Sequence, residues 1–143
     1  MSYFIKTSLK TNMNDAIEKV MAALKLEGFG VVSQVDMKQT MKTKLDVDFQ
    51  PYVILGACNP NFAIEALRAD SRIGTMLPCN VIVQQLEGKD VEVTAIDSVA
   101  SMQAVENEKV QDVAAQIRQK LHKVIQSLSR SDFQAWRIRR YGG

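Results

Sequence analysis

Cysteine, histidine and proline are scarce in this chain of 143 residues, which contains two Cys, one His and three Pro. Two cysteines cannot build a disulfide framework, and a domain of about 150 residues buries enough surface to fold without one. We therefore expect reduced thiols and a cytoplasmic location. The single histidine, His122, falls beside the apolar stripe of a predicted helix, which favours a solvent-exposed position over a general base.

Long apolar runs, a signal peptide and a strong net charge are also missing. The apolar runs are far shorter than the stretch of about 18 residues that spans a membrane. Residues 1–6 lack the regions of a signal peptide. A net charge of +2 is too small to indicate a polyanionic partner. The sequence therefore predicts neither a membrane nor a nucleic-acid partner.

A cofactor motif is missing as well. Gly28-Phe29-Gly30 follows a predicted helix instead of preceding one, and it lacks the lysine of a phosphate-binding loop. No cofactor is predicted.

The chain does contain a regular alternation of strand and helix patterns. Period-two alternation and β-branched runs predict strands at Tyr3 to Leu9, Val31 to Val35, Tyr52 to Ala57, Cys79 to Gln84 and Val91 to Ile96. Apolar residues at helical spacing predict the order β-α-β-α-β-α-β-β-α. The expected fold is α+β: one compact domain over residues 1–128, with a mainly antiparallel or mixed sheet and helices packed chiefly on one face. Residues 129–143 form a predicted basic and aromatic tail.

Short polar side chains mark the predicted helix starts. N-caps are predicted at Asn12, Asp36, Asn59, Asp97 or Ser98, and Asn107. Gly28 is expected to end the first helix. The helix after Asp36 is expected to bury Met37, Met41 and Leu45, and residues 70–77 are expected to form a loop.

Two Cys-Asn dipeptides stand next to prolines, in Cys58-Asn59-Pro60 and Pro78-Cys79-Asn80. Cys58 ends a predicted central strand just before a helix, where free N–H groups and a partial positive charge stabilise a thiolate. Cys79 begins the next strand, so antiparallel pairing would bring the two thiols together, with the amides of Asn59 and Asn80 beside them. The alternative is that both cysteines are small buried hydrophobic residues and that Asn59 only caps the helix.

Metal binding follows less directly from this pair. The cysteines are 21 positions apart, with no Cys-x-x-Cys motif and no nearby histidine, whereas a structural zinc site needs four ligands. Cys58 and Cys79 could hold a soft ion such as Cu(I), or supply half of a four-ligand site in a symmetric dimer.

Four blocks of the sequence resemble domain-of-unknown-function family 302, a family of bacterial and archaeal proteins. The blocks are residues 27–31 with 35–36, residues 52–60, residues 77–83 and residues 95–97. The resemblance covers residues 1–128 and implies a compact α+β fold and a homodimer. It implies no established activity.

These observations leave three hypotheses for the function. The first is a binding or sensing module for a small molecule, a soft metal or a sulfur species, with its candidate site at Cys58, Asn59, Cys79, Asn80, Asp36 and Asp97. The second is a thiol-dependent enzyme that uses Cys58 as nucleophile or redox thiol with Asp36 or Asp97 assisting, although the lack of a positioned histidine argues against it. The third is a homodimeric assembly module with both cysteines in the core.

Overall fold

The computed structural model describes residues 2–88 and 90–129. Its elements are β1 (Phe4–Leu9), α1 (Met13–Leu26), β2 (Gly30–Asp36), α2 (Met37–Leu45), β3 (Tyr52–Cys58), α3 (Pro60–Ala69), a 3-10 helix (Ser71–Met76), β4 (Cys79–Gln85), β5 (Val91–Ile96), α4 (Ser98–Ser101) and α5 (Glu108–Leu128). The predicted order of strands and long helices is confirmed. The predicted tail lies outside the described residues, apart from Ser129.

The five strands form one sheet in the order β1-β5-β4-β3-β2, and every neighbouring pair is antiparallel. The sheet is therefore antiparallel throughout, which resolves the choice between an antiparallel and a mixed sheet. Helices α1 and α5 pack against the strands, and α3 packs against α5. The α+β fold with a helical layer over the sheet is confirmed.

The two faces of the sheet differ because side chains alternate along each strand. One face is buried under the helices, and its core residues include Val53, Leu55 and Ala57 of β3. We call the opposite side the open face. Its residues are Phe4, Lys6 and Ser8 of β1; Ser33 and Val35 of β2; Tyr52, Ile54 and Gly56 of β3; Asn80, Ile82 and Gln84 of β4; and Glu92, Thr94 and Ile96 of β5.

Helix α1 ends in a tight left-handed turn. The N–H of Phe29 donates to the carbonyl of Leu24 at 3.0 Å, and the N–H of Gly28 donates to that of Lys25 at 3.1 Å. Gly28 has a φ of 86°, a conformation that glycine adopts without steric cost. The turn brings Phe29 into the core, where it is 3% exposed. The predicted helix end at Gly28 is confirmed.

Two predictions about local structure are wrong. No residue of α2 is buried, although Met37, Met41 and Leu45 were expected to face a core. The reason is that α2 follows the edge strand β2 and contacts β2 and β3 instead of joining the helical layer. Residues 71–76 form a 3-10 helix instead of a loop, because the side chain of Asp70 accepts a hydrogen bond from the N–H of Arg72 at 3.0 Å.

His122 is also placed differently from the prediction. Its side chain is half-buried on α5, and its buried Nε2 finds no hydrogen-bond partner among the described residues. In the described part of the chain, no helix is long and apolar enough to span a bilayer.

Candidate functional site

The two cysteines meet at one end of the sheet. Cys58 is the last residue of β3 and Cys79 is the first residue of β4, and Cys79 pairs directly with Ala57. Cys58 is therefore one residue beyond the pair, which corresponds to about 6 Å between the Cα atoms of the two cysteines. The predicted antiparallel pairing of the two strands is confirmed. The Cα separation lies within the disulfide range, but Ala57 and Cys79 share one side of the sheet, so strand alternation directs the Cys58 side chain to the other side.

Both cysteines line a largely enclosed cavity between the end of β3 and the helices. The cavity measures about 20 Å³, which is room for about one water-sized sphere. Its walls are almost wholly apolar, and they consist of Phe29, Ala57, Cys58, Asn59, Phe62, Ala63, Ala66, Leu77, Pro78, Cys79, Met102 and Ile117. A site of this size and polarity suits a single uncharged atom or small group.

The two thiols differ in their environment. Cys79 is only 5% exposed, whereas Cys58 is half-buried. Burial, and then the charge of a Cys58 thiolate beside it, raises the pKa of the Cys79 thiol from 9.0 to about 11. Cys79 is therefore a neutral thiol at neutral pH. Cys58, by contrast, stands beside the N-terminus of α3 and is accessible from solvent.

Asn59 occupies the N-cap position of α3, but its side chain makes no capping hydrogen bond. Its Nδ2 instead donates to the backbone oxygen of Glu27 at 3.2 Å. Gly28 allows this contact, because a Cβ at that position would lie 3.1 Å from Nδ2 of Asn59. The expectation that the Asn59 side chain caps α3 is therefore wrong. Asn59 connects the end of α1 to the start of α3 and forms part of the cavity wall.

Asn80 does not lie beside the thiols as expected. It follows Cys79 along β4 and so projects from the opposite side of the sheet, where it is exposed. Pro78, in contrast, contributes to the cavity wall, and the Leu77–Pro78 peptide bond is cis. The lack of a side chain at Gly56 makes room for this proline, because a Cβ at Gly56 would lie 2.7 Å from Cγ of Pro78.

The two aspartates of the predicted site, Asp36 and Asp97, do not line the cavity. Asp36 accepts a hydrogen bond from the N–H of Gln39 at 3.0 Å and caps α2. It pairs with Val53, five residues along β3 from Cys58, which corresponds to about 17 Å. The structure therefore does not bring Asp36 to the cysteines.

Asp97 lies at the same end of the sheet as the cysteines, but it does not line the cavity. Its side chain is 4% exposed, Oδ1 accepts hydrogen bonds from the N–H groups of Val99 and Ala100, and Oδ2 lies 3.1 Å from Nε of Arg118. The predicted cap of the short helix is confirmed at Asp97. Asp97 therefore has a structural role at the start of α4.

Metal ligands are few near the thiols. In the described part of the chain, no group of three or more His, Cys, Asp or Glu side chains is placed to hold a metal ion.

Sequence reasoning found the thiols but missed most of the cavity wall. Phe29 carried a signal, because the residue after a glycine that ends a helix often contacts the last turn of that helix. Met102 follows α4 and Ile117 lies on α5. Tertiary packing brings both to the cavity, and the local sequence pattern does not predict this packing.

Comparison with known proteins places the chain in a family. The model of the domain of unknown function DUF302 matches residues 5–128. The chain belongs to the DUF302 family. A similar solved structure is the crystal structure of an uncharacterized conserved DUF302 protein from Bacillus stearothermophilus, with 28% sequence identity and a TM-score of 0.81. The similarity covers 88% of this chain and 98% of that one. A search of curated proteins found no match.

The predicted resemblance is thus confirmed, and both Cys-Asn dipeptides lie inside the DUF302 match. DUF302 membership shows the fold of this chain, and a fold alone does not determine a reaction.

Proposed function

We propose that this DUF302 protein binds reactive sulfur, holding one sulfur atom as a persulfide on Cys58 inside the cavity that Cys79 shares. The observation that carries the proposal is the cavity itself. It is apolar, it has room for about one small atom, and both cysteine residues line it.

The proposed reaction is a transfer of one sulfur atom. The thiolate of Cys58 attacks the terminal sulfur of a hydropersulfide, and a new sulfur–sulfur bond forms on Cys58. The sulfur–sulfur bond of the donor breaks, and the donor leaves as a thiolate with the bonding electron pair. Cys58 is suited to the attack because it is half-buried and stands beside the N-terminus of α3.

Cys79 provides the release step. Once the end of β3 turns the Cys58 side chain toward Cys79, attack of the Cys79 thiolate on the inner sulfur of the Cys58 persulfide forms a disulfide between the two cysteines and expels the outer sulfur as hydrosulfide. The thiolate is the attacking species, so the pKa of about 11 keeps this step slow at neutral pH. The raised pKa of Cys79 therefore prolongs the lifetime of the persulfide on Cys58.

A reducing compartment such as the cytoplasm suits this function. Both cysteines are free, and a reducing environment keeps them as the thiols that the reaction needs. A thiol hydrolase or transferase with Asp36 or Asp97 as base gains no support from the geometry, because neither carboxylate lines the cavity.

The experiment treats the reduced protein with inorganic polysulfide, removes the excess, and measures the mass of the intact chain and of its cysteine peptides. We expect a mass gain of one sulfur atom on Cys58 in the wild type and none in Cys58→Ala. Cys79→Ala should still take up sulfur, but it should release far less hydrosulfide than the wild type at pH 9. The matched control is Ser101→Ala, which changes a hydroxyl on α4 outside the cavity.

Two outcomes would overturn the proposal. Alkylation of both cysteines only after unfolding would show that Cys58 is not accessible to a donor. Stoichiometric binding of Ag(I) that needs both cysteines, without any sulfur uptake, would assign the site to a soft metal ion instead.

A further inference from the structure

The basic residues of this chain are concentrated in its last part. Residues 117–143 contain seven Lys or Arg and one acidic residue, a formal charge of +6, whereas the whole chain carries only +2. The formal charge of residues 1–116 is therefore −4. The small net charge of the chain thus conceals a strong asymmetry, and an asymmetry of this kind is typical of proteins that bind a polyanion.

The structure arranges the first of these basic residues along one side of α5. Arg118, His122 and Gln126 follow one another at intervals of four residues, and Gln119 and Lys123 form a second row beside them. Of the described residues, these five line a shallow groove of about 360 Å³, which we call the α5 groove. From Arg118 to Gln126 it is about 12 Å long, at 1.5 Å per residue.

Two cations of the α5 groove can reach a ligand. Lys123 is exposed, and none of the ion pairs among the described residues involves it. Arg118 pairs through Nε with Oδ2 of Asp97 at 3.1 Å, and this contact orients the guanidinium. The Arg118 side chain is nevertheless 44% exposed, so the donors on its two terminal nitrogens remain for a phosphate.

The polarity of the α5 groove favours a nucleic acid over a lipid surface. Every Val, Ile and Leu of α5 is buried in the core, so the helix has no large apolar side chain to insert into a bilayer. Gln119 and Gln126 add amides that both donate and accept hydrogen bonds. Amide and cationic side chains together are typical of contacts to phosphate and sugar.

The residues that follow α5 supply aromatic rings. The stretch of residues 130–143 comes directly after Ser129, the last described residue, and it combines four Arg with three aromatic residues: Arg130, Phe133, Trp136, Arg137, Arg139, Arg140 and Tyr141. This composition is typical of proteins that bind single strands, because Arg neutralises phosphate and an aromatic ring stacks on an unpaired base. A duplex keeps its bases stacked on one another and offers no such partner.

We propose that the α5 groove and residues 130–143 together bind single-stranded nucleic acid. Arg118 and Lys123 hold the phosphates along α5, and the aromatic residues after α5 stack on the bases. This activity is separate from the sulfur chemistry at Cys58 and does not depend on it. The phosphates and bases that these groups recognise occur in both RNA and DNA.

The experiment measures binding of the full-length chain to fluorescein-labelled oligo(U) and oligo(dT) of about 15 nucleotides by anisotropy, over a range of salt concentrations. Each phosphate contact with a single strand contributes about 0.7 to the slope of log K against log salt concentration. We therefore expect Lys123→Gln to lower the slope by about 0.7 and to weaken binding about fivefold at 0.1 M salt.

The matched control is Lys109→Gln. It removes the same charge from an exposed lysine near the start of α5, about 21 Å along the helix from Lys123. Its affinity and its salt slope should equal those of the wild type. Equal affinities of Lys123→Gln and Lys109→Gln would overturn the role of the α5 groove.

Trp136 is the only tryptophan of the chain, so its fluorescence reports base stacking directly. We expect both oligonucleotides to quench it, and we expect Trp136→Ala to bind them about tenfold more weakly. A preference for oligo(U) or for oligo(dT) identifies which nucleic acid the chain binds. A duplex that binds as tightly as the single strands would overturn the proposal. So would binding to phosphatidylglycerol vesicles, with a blue shift of the Trp136 emission, in a chain that binds neither oligonucleotide.

Discussion

At the scale of single residues, the Cys79 thiol makes the free energy of unfolding depend on pH. In the folded chain its pKa is about 11, raised from 9.0 by burial and by Cys58. The folded state therefore holds the proton more tightly than the unfolded state does, so ionisation favours unfolding. This contribution is complete below pH 9 and is lost as the pH rises through 11, by up to about 2–3 kcal/mol.

We expect the free energy of unfolding, measured by urea titration, to fall between pH 9 and 11 more steeply in the wild type than in Cys79→Ala. The variant loses packing at all pH values, so the comparison uses the slope and not the absolute stability. Lysine and tyrosine side chains titrate in the same range in both proteins, and their effect therefore cancels. Equal slopes would mean that the buried thiol does not titrate with a raised pKa.

Asn59 shows how one residue can satisfy a local pattern and serve another purpose. Its position before Pro60 is typical of an N-cap, yet its amide donates to Glu27, which lies 32 residues earlier. A local pattern cannot reveal a backbone acceptor that only the folded chain brings near. Asn12 and Asn107 cap their helices as predicted, and Asn107 does so while its Nδ2 also donates to the backbone oxygen of Ala69.

At the scale of elements, the strands and the long helices were predictable because each buries one face and so leaves a period in the sequence. The long helix with its stripe from Val110 to Leu128 is an example, since all its stripe residues are buried. The stripe of α2 has the same period, but the period does not say which surface will cover it. The cavity was predictable only at Cys58, Asn59 and Cys79, because its other walls come from five separate segments.

The turn that ends α1 holds the wall of the cavity in place, and Gly28 is the residue on which it depends. Gly28→Ala would combine a positive φ with a Cβ 3.1 Å from Nδ2 of Asn59. We expect a loss of about 1–2 kcal/mol in the free energy of unfolding, measured in urea. Gly30→Ala is the matched control, because a Cβ there meets nothing within 4 Å. A loss of similar size in both variants would contradict this role of Gly28.

At the scale of the whole molecule, the two faces of the sheet differ in how far the helices cover them. Val53, Leu55 and Ala57 lie under the helical layer and are at most 6% exposed, whereas Val35 on the open face is 43% exposed. Antiparallel sheets commonly pack one face on the core and leave the other to solvent, so the antiparallel register and the placement of the helices agree.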